Sequence, residues 1–259
     1  MSLKLRFLDR FPVNPEQVKS ENSLLKHIYQ SFLSIPYENI SKIVSRGLSQ
    51  DDGYSDPSLL LNNFINFGNG GTCFSACYTL SFLLEEFGFE NSIFLADRNF
   101  GENTHCFIIV KVNGFEYILD PAFFVVEIIL KPKINSPYIS ERFSFVLDEL
   151  GRIVCCSGKV TRFISKPSAA SSEEFRKAWE KSFENPMLNK LCITKYDFES
   201  KNLYYLSHNV LKIFDSAKPV LSKKILITPE IIEEKFGISK EITSKAIAML
   251  PEKRRCELL

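Results

Sequence analysis

Histidine is scarce in this chain of 259 residues: there are three, His27, His105 and His208. An excess of charge of either sign is missing too, since 32 Lys and Arg face 31 Asp and Glu for a net +1. Without a field of one sign, nucleic-acid backbones and anionic membrane surfaces find nothing to attract them. Long apolar runs are also absent. The longest, 123–130, is broken by Glu127 and falls far short of a bilayer-spanning helix. The first ten residues mix charged and apolar positions, without the ordered pattern of a secretion signal. Seven cysteines, an odd number at irregular spacings, argue against a disulfide framework, so a reducing compartment, the cytoplasm, is expected. No second pair at zinc-finger spacing joins Cys73 and Cys77, so no metal site is expected either. What remains is an ordinary mixture, 45% hydrophobic and 24% charged, long enough for one large domain or two to three modest ones.

Hydrophobic periodicity changes along the chain. Asn14-Pro15-Glu16-Gln17 reads as a helix start, followed by an apolar stripe on Leu24, Leu25, Ile28 and Phe32. Residues 50–57 read as a polar loop, and Asp56-Pro57 as the start of another helix through Phe64. A further helix is expected over 73–87, closed by Gly88. Phe64, Phe67, Phe82 and Phe87 fit core positions on these helices. In the middle third the period drops to two. Strands are expected at 92–96, 104–112, 115–120, 143–148, 153–156 and 160–164, and Asn113-Gly114 is the strongest hairpin signal among them. Ser171 and Glu174 form a capping box. The last third is mixed: short strands at 192–198, 203–206 and 210–214, then a Thr228-Pro229 helix stopped by Gly237 and a final helix capped by Ser239.

Chemistry concentrates at Phe67-Gly68-Asn69-Gly70-Gly71-Thr72-Cys73. Three glycines in four residues lead into a helix with Cys73 on its first turn, where the dipole favours a thiolate. A nucleophilic cysteine needs a base. His27 sits on a helix and His208 in a polar turn, which suits structural or surface roles. His105 is fixed by the hairpin. A two-residue Asn113-Gly114 loop pairs Val112 with Phe115, so paired positions sum to 227. Asp120 then lies opposite Phe107, one diagonal step from His105 on the same face and within reach of its imidazole. The register thus predicts a His105–Asp120 pair, and with Cys73 a complete thiol triad of nucleophile, base and orienting carboxylate. Sequence alone does not place Cys73 beside His105. An inert core cysteine and a satisfied His–Asp pair would use the same residues.

These segments resemble the arylamine N-acetyltransferase family. Asn69-Gly70-Gly71-Thr72-Cys73 is similar to its Arg-Gly-Gly-x-Cys, Thr104-His105 to its Thr-His, and Asp120-Pro121-Ala122-Phe123 to its Asp-x-Gly-Phe. Pro36-Tyr37-Glu38-Asn39-Ile40 resembles Pro-Phe-Glu-Asn-Leu, and residues 231–238 resemble a C-terminal Phe-Gly-Ile helix. The order and spacing hold over nearly the whole chain. The resemblance implies an α+β fold in three regions: a helical bundle over 1–90 carrying the nucleophile, a β-barrel over 91–185 carrying His105 and Asp120, and an α/β lid over 186–259. It also implies ping-pong transfer of an acetyl group from acetyl-CoA, a cosubstrate rather than a permanently bound cofactor, through Cys73 to an arylamine, arylhydrazine or arylhydroxylamine. Departures are plain: Asn69 stands for Arg, Ser75 for Glu, and Pro121-Ala122 for small flexible residues. Altered rate, donor or acceptor would follow from such changes.

The same Cys–His–Asp order also serves a transglutaminase-like enzyme or amide hydrolase, and the missing Arg and Glu suit a catalytically weak binding protein. Cys256-Glu257-Leu258-Leu259 after Lys253-Arg254-Arg255 literally matches a prenylation signal, a four-residue pattern that chance produces easily.

Overall fold

Asn113 and Gly114 both adopt positive φ, 51° and 78°, as a two-residue hairpin turn of the mirror-image type requires. The strands they join, Gly101–Val112 and Phe115–Leu119, pair with Val112 opposite Phe115 and Ile108 opposite Leu119. That is the predicted register. The protein is seen here in a computed structural model that describes residues 2–14, 18–46, 56–140, 142–215 and 218–258. Two compact units divide it: residues 1–33 with 77–179, and residues 34–76 with 180–259.

In the first unit the hairpin belongs to an eight-stranded antiparallel sheet that nearly closes into a barrel. Its order from edge to edge is Ile129–Leu130, Phe115–Leu119, Gly101–Val112, Glu90–Arg98, Val160–Ser165, Ile153–Ser157, Ser144–Leu147 and Tyr138–Ile139. Alternate side chains point inward, so Phe107, Ile109, Ile118, Phe145, Cys155 and Phe163 fill one core. The helix Glu21–Phe32 buries Leu25, Ile28, Tyr29 and Phe32, the stripe the sequence predicts. Its cap is a Ser20–Ser23 box. The expected Asn14–Gln17 cap falls on residues 15–17, outside the described ones. A helix at Leu3–Arg10 has no counterpart in the sequence reading. It is held by Phe7 in the core and by the Glu86 carboxylate, which accepts from the backbone of Leu3 at 3.3 Å and Lys4 at 2.7 Å.

The second unit has a five-stranded sheet in the order Tyr37–Glu38, Cys192–Asp197, Asn202–Ser207, Val210–Asp215, Lys218–Lys224. The helices Ile40–Ser45, Pro229–Phe236 and Lys240–Met249 bury Ile40, Ile232, Phe236 and Ala246 in one core with Ile193, Leu206 and Leu211 of the sheet. The edge strand Lys218–Lys224 was not foreseen. It carries three lysines and a proline, and such residues suit an edge while erasing the alternation that signals a strand. A short helix, Glu252–Cys256, follows the one expected to be last.

The helix Cys73–Glu86 begins where the sequence places it, and Gly88 ends the segment at φ +90°. Its buried stripe runs through Cys73, Cys77, Leu80 and Leu84, which turns Phe82 toward solvent; Phe67 is exposed as well. The helical pattern in the sequence places both in the core, but they face away from it. No helix among the described residues is long and apolar enough to cross a membrane.

Candidate active site

Asp120 follows the last ladder pair of the hairpin, and its carboxylate is fully engaged. Oδ2 lies 2.8 Å from His105 Nε2, and both residues are buried. Oδ1 accepts the backbone N–H groups of Ala122 at 3.1 Å and Phe123 at 3.0 Å. Pro121, one of the departures from the family pattern, therefore costs the turn no donor it needs. A second brace comes from the helix Glu21–Phe32. Tyr29 accepts the Asp120 N–H at 3.0 Å and donates its hydroxyl to the Val125 carbonyl at 2.7 Å, closing the turn from both ends. Burial, with the Asp120 charge added, holds the Tyr29 phenol well above its ordinary range, so it stays a donor. Phe123 and Phe163 pack on the His105 ring, each at 4.8 Å between centroids. The imidazole is thus fixed by a carboxylate on one edge and two aromatic rings on its sides. Tyr29 escapes sequence reasoning, because a residue 91 positions from Asp120 leaves no local signal of the contact.

Cys73 belongs to the second unit, where it starts its helix buried at 6% exposure. The glycine turn before it is needed for close approach. A Cβ on Gly70 would stand 1.9 Å from the Pro36 carbonyl oxygen, and one on Gly71 would stand 2.1 Å from Ser75 Oγ. The Gly71 carbonyl accepts the Glu38 N–H at 3.0 Å, so the Pro36–Ile40 segment lies along the turn. Asn39 ties that segment to the sheet by donating to Met187 and Lys190 carbonyls at 2.9 and 2.7 Å and accepting from Cys192 N–H at 2.8 Å. On the other side, a Cβ on Gly68 would meet the Gly237 carbonyl oxygen at 1.9 Å, and Ser239 N–H donates to the Phe67 carbonyl at 2.7 Å. Three segments far apart in sequence, 36–40, 67–73 and 236–239, thus meet at one turn.

The two substituted positions have readable environments. Ser75 donates to the Thr72 carbonyl at 3.1 Å. Asn69 is fully buried, and neither atom of its amide has a hydrogen-bond partner among the described residues. It stands beside the Glu38 carboxyl, which is also fully buried. Glu38 Oε2 accepts the Ser41 N–H at 2.9 Å, whereas Oε1 has no partner among the described residues. Burial, which outweighs the bonds from Ser41 and Ile40 and the opposing pull of the Asn69 side chain, raises the Glu38 pKa above its ordinary value.

The comparisons give this mixed fold with its near-closed barrel a class. A family model described as N-acetyltransferase matches residues 22–209. The chain belongs to the arylamine N-acetyltransferase family, whose members are acyltransferases. Solved structures agree on the fold. The arylamine N-acetyltransferase of Salmonella typhimurium superposes with a TM-score of 0.76 at 13% identity, covering 96% of this chain and 98% of its own. That of Mycobacterium tuberculosis gives 0.75 at 16% identity, over 93% and 98%. The Mycobacterium marinum enzyme, solved in complex with CoA, gives 0.75 at 13% identity, over 98% and 97%. A search of curated protein sequences finds no match.

Proposed function

We propose that the protein transfers an acetyl group from acetyl-CoA to an arylamine or arylhydrazine by a ping-pong route through Cys73. Family membership and the buried His105–Asp120 pair carry this reading, and a relative solved with CoA supports the donor. Because Nε2 faces Asp120, Nδ1 is the basic nitrogen of the neutral ring. In the proposed reaction His105 takes the Cys73 proton, the thiolate attacks the thioester carbonyl, and the proton leaves with CoA as its thiol. The amine then attacks acetyl-Cys73, and its lost proton returns through His105 to the cysteine. Asp120 holds the ring and stabilises the imidazolium as it forms. Backbone N–H groups at the start of the Cys73 helix would stabilise the oxyanion in both steps. No permanently bound cofactor is required, and a cytoplasmic setting fits a reduced thiol.

We do not extend the proposal to lipidation at Cys256. Prenylation needs a free, extended tail, whereas Leu258 is buried in the second core and its carbonyl accepts the Ile227 N–H at 3.1 Å. Leu259 lies outside the described residues.

The test is a half-reaction. Mixing enzyme with acetyl-CoA and no amine should release about one equivalent of CoA in a burst and leave an acetyl adduct on the Cys73 peptide. Cys73→Ala should do neither. Absence of acetyl-enzyme at saturating acetyl-CoA overturns the reading.

A further inference from the structure

The whole-chain balance of +1, which gives an anionic surface nothing to pull on, conceals where the cations stand. In the second unit three segments meet at one end of the sheet. The turn 207–210 lies there, and its Asn209 carbonyl accepts the Ile225 N–H at 2.9 Å, just past the edge strand Lys218–Lys224. Asn209 Nδ2 donates to the Glu257 carbonyl at 2.8 Å and the Ile227 N–H to the Leu258 carbonyl at 3.1 Å, which seats the helix Glu252–Cys256 beside them. The His208 N–H donates to the Leu191 carbonyl at 2.7 Å and so brings Lys190 alongside. Six cations gather at this end, Lys190, Lys223, Lys224, Lys253, Arg254 and Arg255, against the carboxylates of Glu252 and Glu257. Glu257 is already shared by Arg254 at 2.7 Å and His208 at 3.0 Å. Lys223, Lys224 and Lys253 are exposed, and their side chains make no ion pair or hydrogen bond among the described residues. Two aliphatic side chains stand with them, Leu226 at 49% exposure and Met249 at 46%. Met249 is held beside the basic helix because Arg255 donates to the neighbouring Ala248 carbonyl at 3.2 Å.

We propose that this end of the second unit is a docking surface for an anionic membrane, on which the protein rests peripherally whether or not it acetylates amines. Lysines on an edge strand keep other strands from pairing with it, but that role does not account for the three cations of the helix set beside it. Nucleic acid fits less well. Residues 218–229 and 251–258 contain no aromatic side chain on which a base could stack. Residues 218–229 also carry three lysines and no acidic residue. Clustered cations with exposed aliphatics between them match the bilayer interface, where acidic headgroups draw the charges and the acyl boundary takes the apolar side chains.

The test is co-sedimentation of the full chain with phosphatidylcholine vesicles, with and without about 30% phosphatidylserine, at about 0.1 M and about 1 M salt. The wild type should bind the serine-containing vesicles at low salt, leave them at high salt and ignore phosphatidylcholine alone. Each lysine near such a surface contributes roughly fivefold in affinity, so the combined variant Lys223→Gln, Lys224→Gln, Lys253→Gln should bind about 100-fold more weakly. Leu226→Ser should weaken binding about fivefold. Lys26→Gln, Lys133→Gln, Lys159→Gln removes the same charge from exposed lysines of the first unit and should stay within about threefold of the wild type. All three variants should melt at the wild-type temperature, since each changes only exposed side chains. Absence of binding, equal binding to both vesicle types or equal losses in the two triple variants overturns the proposal. So does tighter binding to a single-stranded oligonucleotide at matched phosphate concentration, which would assign the cations to nucleic acid.

Discussion

Replacing Glu38 by glutamine should stabilise the protein, and increasingly so as pH rises. The Glu38 carboxyl is fully buried, one oxygen holds the Ser41 N–H at 2.9 Å, and the other has no partner among the described residues. The neighbouring Asn69 offers an amide rather than a cation, and burial raises the folded-state pKa. In the unfolded chain a glutamate titrates near 4.3, about its usual value. A group whose folded pKa is raised stabilises fully below the unfolded pKa and loses that contribution as pH climbs through the folded pKa. Between the two values the loss runs at about 1.4 kcal/mol per pH unit, because the folded state holds a proton that the unfolded state has released. Glutamine never titrates, and its amide can donate to the Asn69 oxygen.

The assay is urea denaturation of wild type and Glu38→Gln from pH 4 to pH 8. Other titrating groups contribute to both proteins and cancel in the difference. The curves should lie close together near pH 4 and diverge above it in favour of the variant. In a thermal scan the divergence is about 3–5 °C per pH unit within the window. A constant offset across the range, or a variant that loses ground as pH rises, would refute the reasoning, since either result requires an ionised and compensated Glu38.

Tyr29→Phe deletes two buried hydrogen bonds around the Asp120 turn and should cost about 2–4 kcal/mol in urea denaturation. It should also lower kcat/KM more than Phe145→Leu, a core change of similar stability cost that does not touch the turn. Gly70→Ala places a methyl against the Pro36 carbonyl, 1.9 Å away in rigid backbone, and should yield insoluble or unfolded protein on expression. Gly71→Ala meets the Ser75 hydroxyl at 2.1 Å, which can turn aside, so the variant should fold with reduced thermal stability. Adding Ser75→Ala should restore part of the loss.

The hairpin was legible to the residue because two rules fixed it together. Asn-Gly sets a two-residue turn, and a strand period of two leaves one register, from which the His105–Asp120 contact at 2.8 Å follows. The glycine turn was legible for a related reason, since close backbone approach leaves a composition that nothing else explains. What escaped has an equally physical cause. Tyr29 reads as one more apolar helix position, and only the fold turns its hydroxyl toward residues 120 and 125. The strand at 218–224 is an edge, and edges are written in charge rather than alternation.

The least legible feature was the meaning of the two substitutions flanking Cys73. From sequence they look like lost supports. In the fold, Ser75 is small enough to turn its hydroxyl onto the Thr72 carbonyl while standing where a Cβ on Gly71 would be. Asn69 removes a cation from beside a buried acid whose pKa burial then raises. An arginine at 69 would favour an ionised Glu38, whereas an asparagine leaves burial to push the carboxyl toward its neutral form. One substitution thereby bears on the electrostatics of a second residue 31 positions away without altering it. The turn that presents Cys73 is still braced by the Glu38 backbone at 3.0 Å, so the change reaches the electrostatics around the turn before it reaches its geometry.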